Sequence, residues 1–306
     1  MRKADRRVLL VATAVMILTV VLVVLALTGT AEETDSDTLV VAVTILPQAG
    51  FVEAIGGDKV EVLVMVPPGA SPHIYEVTPD QMIKLSRAKM YVKVGLPVEF
   101  ELAWMDKLIA ANVSMRVVDC SEGIQVLEMD ENHHDHDHEQ DHGHTGLDPH
   151  IWLSVRNAAI MVQNIRAGLA LIDPANEAYY EKNCADYLEQ LEKLDSEITE
   201  SLSEVENRRF IVFHPAWGYF ARDYDLIQIA VEQDGKEPNV QYQVRLIEEA
   251  RERDIRVVFV SPQYSAKRAQ VIAGAIGGRV VIIDPLAKDF IGNMRLVASA
   301  MKEAME

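Results

Sequence analysis

The chain has 306 residues, of which 49% are hydrophobic and 25% charged, so it holds enough apolar material for one large domain or two ordinary ones and too much for a disordered chain. Its formal charge of −18, from 47 acidic against 29 basic residues, repels phosphate backbones and argues against nucleic acid as a partner. Two cysteines, Cys120 and Cys184, are too few for a disulfide scaffold or a Cys-rich zinc finger, and whether they pair is open at this level.

In chain order, residues 1–30 read as a signal anchor or signal peptide. Residues 8–27 form an apolar run preceded by Arg2, Lys3, Arg6 and Arg7. At about 1.5 Å per residue, roughly 20 residues match the ~30 Å core of a bilayer. The basic flank is expected on the cytoplasmic side and the remainder outside, tethered to the cell membrane by an uncleaved anchor, with cleavage after Ala31 as the alternative. Residues 31–38, polar and acidic, read as a linker.

From Leu39 onward, short β-rich runs alternate with helical stretches, the pattern of an α/β fold with mostly parallel sheets. An N-terminal α/β lobe is expected over residues 39–173, with strands at Leu39–Val43, Val60–Val66, Met90–Val94 and Met115–Val118. Helices are expected between them at Gln48–Ile55, Pro79–Ala88 and Phe100–Ala111, the second started by Thr78 and Pro79. A long connecting helix is expected over residues 174–207. Tyr180, Cys184, Tyr187, Leu191, Leu194, Ile198, Leu202 and Val205 recur there at spacings of three or four and draw one apolar stripe. A C-terminal α/β lobe is expected over residues 208–306, with strands at Phe210–Phe213, Leu226–Ala230, Val257–Val260 and Val280–Ile283 and helices at Gln241–Arg253 and Ala266–Ile276. The expected architecture is therefore two similar lobes joined by one long helix.

Four residues carry the chemistry. His73 ends the rigid loop Pro67–Pro68–Gly69–Ala70–Ser71–Pro72, His150 lies in Asp148–Pro149–His150, His214 follows an apolar strand, and Asp284 follows another and precedes Pro285. Three of the four stand just past the carboxyl end of an expected strand, the edge at which open α/β sheets bind ligands. Two come from each lobe, so a metal held by His73, His150, His214 and Asp284 would sit in the interlobe cleft. Three imidazoles and a carboxylate form a four-coordinate N/O set that suits Zn²⁺ and suits Ca²⁺ or Mg²⁺ poorly, while Mn²⁺ would prefer a second carboxylate. Four protein ligands leave no open position for an activated water, which argues for holding metal over catalysis. No catalytic residue and no enzyme activity are expected.

Residues 130–144 hold a histidine- and acid-rich loop: His133, His134, His136, His138, His142 and His144 among six acids, without Lys, Arg or a large apolar residue. Such imidazoles bind zinc with low affinity and little selectivity, and the loop is expected to collect metal beside the cleft.

These residues resemble those of the solute-binding proteins of metal-ion ABC transporters, in particular the zinc-specific ZnuA-like group. The resemblance rests on Gly69 to His73, Asp148 to Leu153, Phe213 to Phe220, Gly235–Lys236–Glu237–Pro238, Val260 to Tyr264 and Asp284–Pro285–Leu286. It implies a rigid helix joining two lobes, a metal between them, and a monomeric receptor that delivers Zn²⁺ to a membrane permease and its ATPase. It also implies that His73, His150 and His214 match the first three ligands and Asp284 the last. Manganese-type members have glutamate at the third position, so His214 favours zinc. The lipid-bearing cysteine usual in the group is missing here, which changes only the mode of anchoring. An extracellular zinc hydrolase and a metal-storage or cell-adhesion protein are the competing readings. A zinc hydrolase of the common kind would carry His-Glu-x-x-His on a helix, and no such helix is expected in this chain.

Overall fold

The strands pair in parallel, the two central strands of each sheet largely buried and the edge strands partly exposed. The structure, a computed structural model, describes residues 38–128, 146–232 and 239–306. The expected anchor at 8–27, the linker up to residue 37, the histidine-rich loop and Gly235–Pro238 lie outside the described residues. Among the described residues, no helix is long and apolar enough to cross a membrane.

The first sheet contains β1 (Leu39–Val43), β2 (Val60–Val64), β3 (Met90–Lys93) and β4 (Arg116–Asp119) in the order β2-β1-β3-β4. Its ladders are parallel, with Val41 opposite Val62 and Met90. Three helices connect these strands: α1 (Leu46–Gly56), α2 (Pro79–Leu85) and α3 (Glu99–Ala111). Thr78 caps α2 as its sequence suggests, its hydroxyl accepting from Gln81 N at 3.3 Å while Gln81 Oε1 accepts from Thr78 N at 3.0 Å.

After β4 the chain runs through a 3₁₀ turn at Ile151–Leu153 into α4 (Val155–Ile172), then through a second 3₁₀ turn at Pro174–Asn176 into α5 (Glu177–Ser203). The second sheet repeats the first: β5 (Arg209–Val212), β6 (Ile227–Ala230), β7 (Val257–Val260) and β8 (Arg279–Ile282) in the order β6-β5-β7-β8, all parallel. Its helices are α6 (Gly218–Asp223), α7 (Val240–Glu252), α8 (Ala266–Ala275) and α9 (Phe290–Met305). The two parallel-sheet lobes and the long helix between them are as expected. In both sheets the order reverses between the first and third strands, which opens a crevice at their carboxyl ends.

Helix α5, 27 residues or about 40 Å long, is the connector. It is shorter than the expected 174–207 because Pro174 starts a separate 3₁₀ turn and the helix ends at Ser203. Its stripe of Tyr180, Cys184, Leu191, Leu194, Ile198 and Leu202 is buried. It packs against α1 and α4 beside the first sheet and against α9 beside the second. One core therefore runs through both lobes, and a smaller one lies on the outer face of the second sheet. Strand alternation divides them: Phe210 and Val212 enter the first, Ile211 and Phe213 the second.

Helices α4, α6 and α9 were not among the expected elements. In α4, Val155, Ala158, Met161, Val162, Ile165 and Leu169 are buried at helical spacing, and in α9 Phe290, Met294, Val297 and Met301 are. Cys120 and Cys184 are free, buried thiols, and burial raises the pKa of both.

The lobes meet closely beside the cleft. A side chain at Gly50 would collide with the carbonyl oxygen of Lys288, and the Lys288 ammonium reaches Glu53 of the same helix α1 at 2.7 Å. The Trp152 indole donates to Pro285 O at 2.8 Å, and the ring is only 1% exposed.

Candidate metal centre

Three histidines from three separate loops converge where the two crevices face each other. His73 is carried by the Pro67–Pro72 loop after β2, with its backbone N–H donating to Ser71 Oγ at 3.3 Å. His150 precedes the Ile151–Leu153 turn. His214 stands two residues past the end of β5, at the sheet's reversal point, with its ring stacked on Tyr264 at 4.9 Å and 20°. One ring nitrogen from each of the three can be chosen so that all lie within 4.8 Å of one another. The Nε2 atoms of His150 and His214 are 3.3 Å apart. That separation is about the edge of a tetrahedron whose Zn–N bonds are ~2.0 to 2.1 Å.

Each imidazole is oriented through its other nitrogen by a carboxylate. His73 Nδ1 lies 2.6 Å from Glu99 Oε2, His150 Nδ1 2.8 Å from Asp148 Oδ1, and His214 Nδ1 2.7 Å from Glu232 Oε2. An ionised carboxylate only accepts, so Nδ1 carries the proton and Nε2 presents its lone pair to the centre. Glu99 is the first residue of α3, and Glu232 follows β6 by two residues. Asp148 also accepts from the backbone N–H of His150 at 2.9 Å, which closes a compact Asp-Pro-His turn.

The electrostatics keep the site receptive to a cation. Burial opposes a charged His214 most strongly, the neighbouring His150 and His73 add to this, and Glu232 opposes it incompletely, so the His214 pKa is lowered to about 4. Burial works to raise the Glu99 pKa, but the hydrogen bond and charge of His73 prevail and lower it. A neutral His214, hydrogen-bonded through Nδ1 to Glu232, offers its Nε2 lone pair to a cation.

Asp284 stands outside this three-histidine cluster. It lies two residues past β8, and its Oδ1 accepts from Leu286 N at 2.9 Å and Gln263 Nε2 at 3.3 Å. Its backbone carbonyl accepts from Asn293 at 2.7 Å, so both ends of the residue are engaged by its own lobe. Gln263 Oε1, facing the same region, is buried without a partner. The loop histidines His133, His134, His136, His138, His142 and His144 lie outside the described residues. That segment is bracketed by an antiparallel bridge between Glu128 and Leu147, immediately before Asp148.

The cavity lined by His73, His150, Trp152, His214 and Gln263 measures about 20 Å³, room for a single ion or water. Trp152, Trp217 and Tyr219 are all buried, and Trp152 also bonds across the lobes. Sequence reasoning missed the three carboxylates as a set. Asp148, two residues before a candidate ligand, carried a local signal; Glu99 and Glu232, 26 and 18 residues from their partners, carried none.

Residues 41–304 match the ZnuA family, described as zinc-uptake complex component A, periplasmic. The chain is 31% identical over 257 residues to the high-affinity zinc uptake system protein ZnuA of Bacillus subtilis (strain 168), covering 83% of this chain and 80% of that one. It is 27% identical over 257 residues to the zinc-binding lipoprotein AdcA of Streptococcus pneumoniae (strain ATCC BAA-255 / R6), covering 80% of this chain and 50% of AdcA. A crystal structure of a ZnuA deletion mutant with zinc bound is similar with a TM-score of 0.81 at 41% identity, covering 88% of this chain and 99% of that one.

Proposed function

The chain belongs to the ZnuA family of zinc-uptake components, and on that premise we propose that it captures Zn²⁺ outside the cytoplasm and hands it to an ABC permease driven by its ATPase. The observation that carries this reading is the convergence of three imidazoles, each oriented through Nδ1 by its own carboxylate, with the Nε2 atoms of His150 and His214 at a separation that matches zinc coordination. His73, His150 and His214 are the proposed ligands. Asp284 is proposed as the fourth, reached when its loop releases the bonds to Leu286 and Gln263. Both halves of the site come from one chain, so a monomer suffices. Residues 8–27 would tether it to the membrane, and the loop histidines would collect zinc near the cleft.

Zinc is the cargo here, and binding is the whole of the chemistry. Nitrogen donors at three of four positions favour Zn²⁺ over Mn²⁺. Membership of a zinc-uptake family disfavours the hydrolase reading.

The deciding experiment is a competitive titration of the metal-free ectodomain with Zn²⁺ and Mn²⁺, with elemental analysis of the product. One tightly held zinc per chain, lost in the His150→Ala variant, is the expected outcome. Preference for manganese, or tight binding that survives His150→Ala, would overturn the assignment.

A further inference from the structure

Helix α6 supplies no proposed ligand, yet its first two residues lie against Asp148, the residue that orients His150. The Tyr219 hydroxyl donates to Asp148 O at 2.9 Å and accepts from Leu127 N at 3.1 Å, and the residue is wholly buried. Asp148 N in turn donates to Leu127 O at 2.9 Å. The two strands of chain flanking the histidine-rich segment are thus pinned to the second lobe by one phenol. Arg222, one turn further on, lies over the Tyr219 ring at 5.1 Å and donates to Gln125 O at 3.1 Å.

Gly218 sits against the other side of Asp148. Its φ is not in the left-handed region, so the backbone does not demand glycine there. Space does: a Cβ at Gly218 would lie 2.6 Å from Asp148 Oδ2. A carboxylate oxygen pushed from that place would carry Oδ1 with it, and Oδ1 holds both the backbone N–H and the ring Nδ1 of His150. The same short segment begins with His214, whose carbonyl accepts from Ala216 N at 2.9 Å, so one stretch of the second lobe contains a proposed ligand and the seat of another.

We propose that Gly218 and Tyr219 are positioning residues of the zinc site: from the second lobe they fix Asp148, and through it the ring of His150, at the separation from His214 that zinc requires. This rests on the zinc-receptor reading above and assigns to the contact between α6 and Asp148 the setting of the bond geometry. An imidazole displaced by a few tenths of an ångström at one vertex weakens the whole tetrahedron, and loss of an orienting partner in metal sites typically costs 10–100-fold in affinity.

The test is a double-mutant cycle in the full chain, read by zinc affinity from chelator competition and by the visible spectrum of the Co²⁺-loaded protein. Gly218→Ala should weaken zinc about 10-fold and shift the Co²⁺ bands, and in the Asp148→Ala background, where no carboxylate remains to be displaced, it should change neither further. Tyr219→Phe, which keeps the ring, should weaken zinc about threefold or more and shift the same bands even if Gly218→Ala does not fold. Additive effects of Gly218→Ala and Asp148→Ala would overturn the proposal. So would affinities and Co²⁺ spectra of both single variants indistinguishable from those of the parent. A parent chain that binds no zinc would instead refute the receptor reading, and this positioning role with it.

Discussion

His214 should make the metal-free protein acid-sensitive over a defined window. In the unfolded chain its imidazole titrates near 6.5, and in the folded one burial lowers this to about 4. Between those values the unfolded state binds a proton that the folded state refuses, so stability is complete above about pH 6.5 and is lost as pH falls toward 4. The gap between 6.5 and about 4, at ~1.36 kcal/mol for each tenfold in proton affinity, amounts to about 3 kcal/mol. The side chain is only 11% exposed, so little of this is screened by solvent. His214→Gln retains an N–H donor for Glu232 and removes the titration. Urea unfolding of metal-free protein at intervals from pH 7 to 4.5 should therefore show the parent losing most of that amount relative to the variant. Curves that run parallel across the window would refute the claim that the fold holds His214 neutral. The same low value means that protons compete with zinc at His214 only near pH 4.

Three further outcomes follow from the site. Glu232→Ala and Glu99→Ala should each lower zinc affinity roughly 10–100-fold by chelator competition, because an imidazole without its acceptor loses orientation and basicity; affinities within twofold of the parent would show that the carboxylates are bystanders. His214→Glu should weaken zinc relative to manganese, since it exchanges a nitrogen donor for a hard oxygen, and an unchanged Zn/Mn preference in paired titrations would place selectivity elsewhere. Deleting residues 131–144 should lower the number of zinc ions per chain while leaving one tight site, and loss of the tight site would refute the division between collector and receptor.

Much of the fold could be read along the chain because strand and helix periods are local. All eight described strands fall within two residues of their expected ends, and the stripe from Tyr180 to Leu202 predicts the long helix. Helices α4 and α9 carried equally regular stripes, at Val155–Leu169 and Phe290–Met301, and were legible by the same rule. The short α6 was not: six residues give less than two turns of pattern. At the site, position after a strand pointed to His214 and Asp284, and the structure gathers His73, His150 and His214 but leaves Asp284 bonded within its own loop.

The amino-acid sequence by itself determined the α/β class, the two parallel sheets, the connecting helix and the identity of three converging imidazoles, because each depends on residue type and short spacing. Only the tertiary structure decided what surrounds them. Glu99, Asp148 and Glu232 orient three rings from three loops, and Gly218, 70 residues further along the chain, leaves the space that the Asp148 carboxylate fills. Hydrogen bonds act over about 3 Å and packing over about 4 Å, and no periodicity along the backbone encodes which distant atoms come that close. Donor identity is written in the chain; the distances that turn donors into a coordination sphere are set by two lobes packed on one helix.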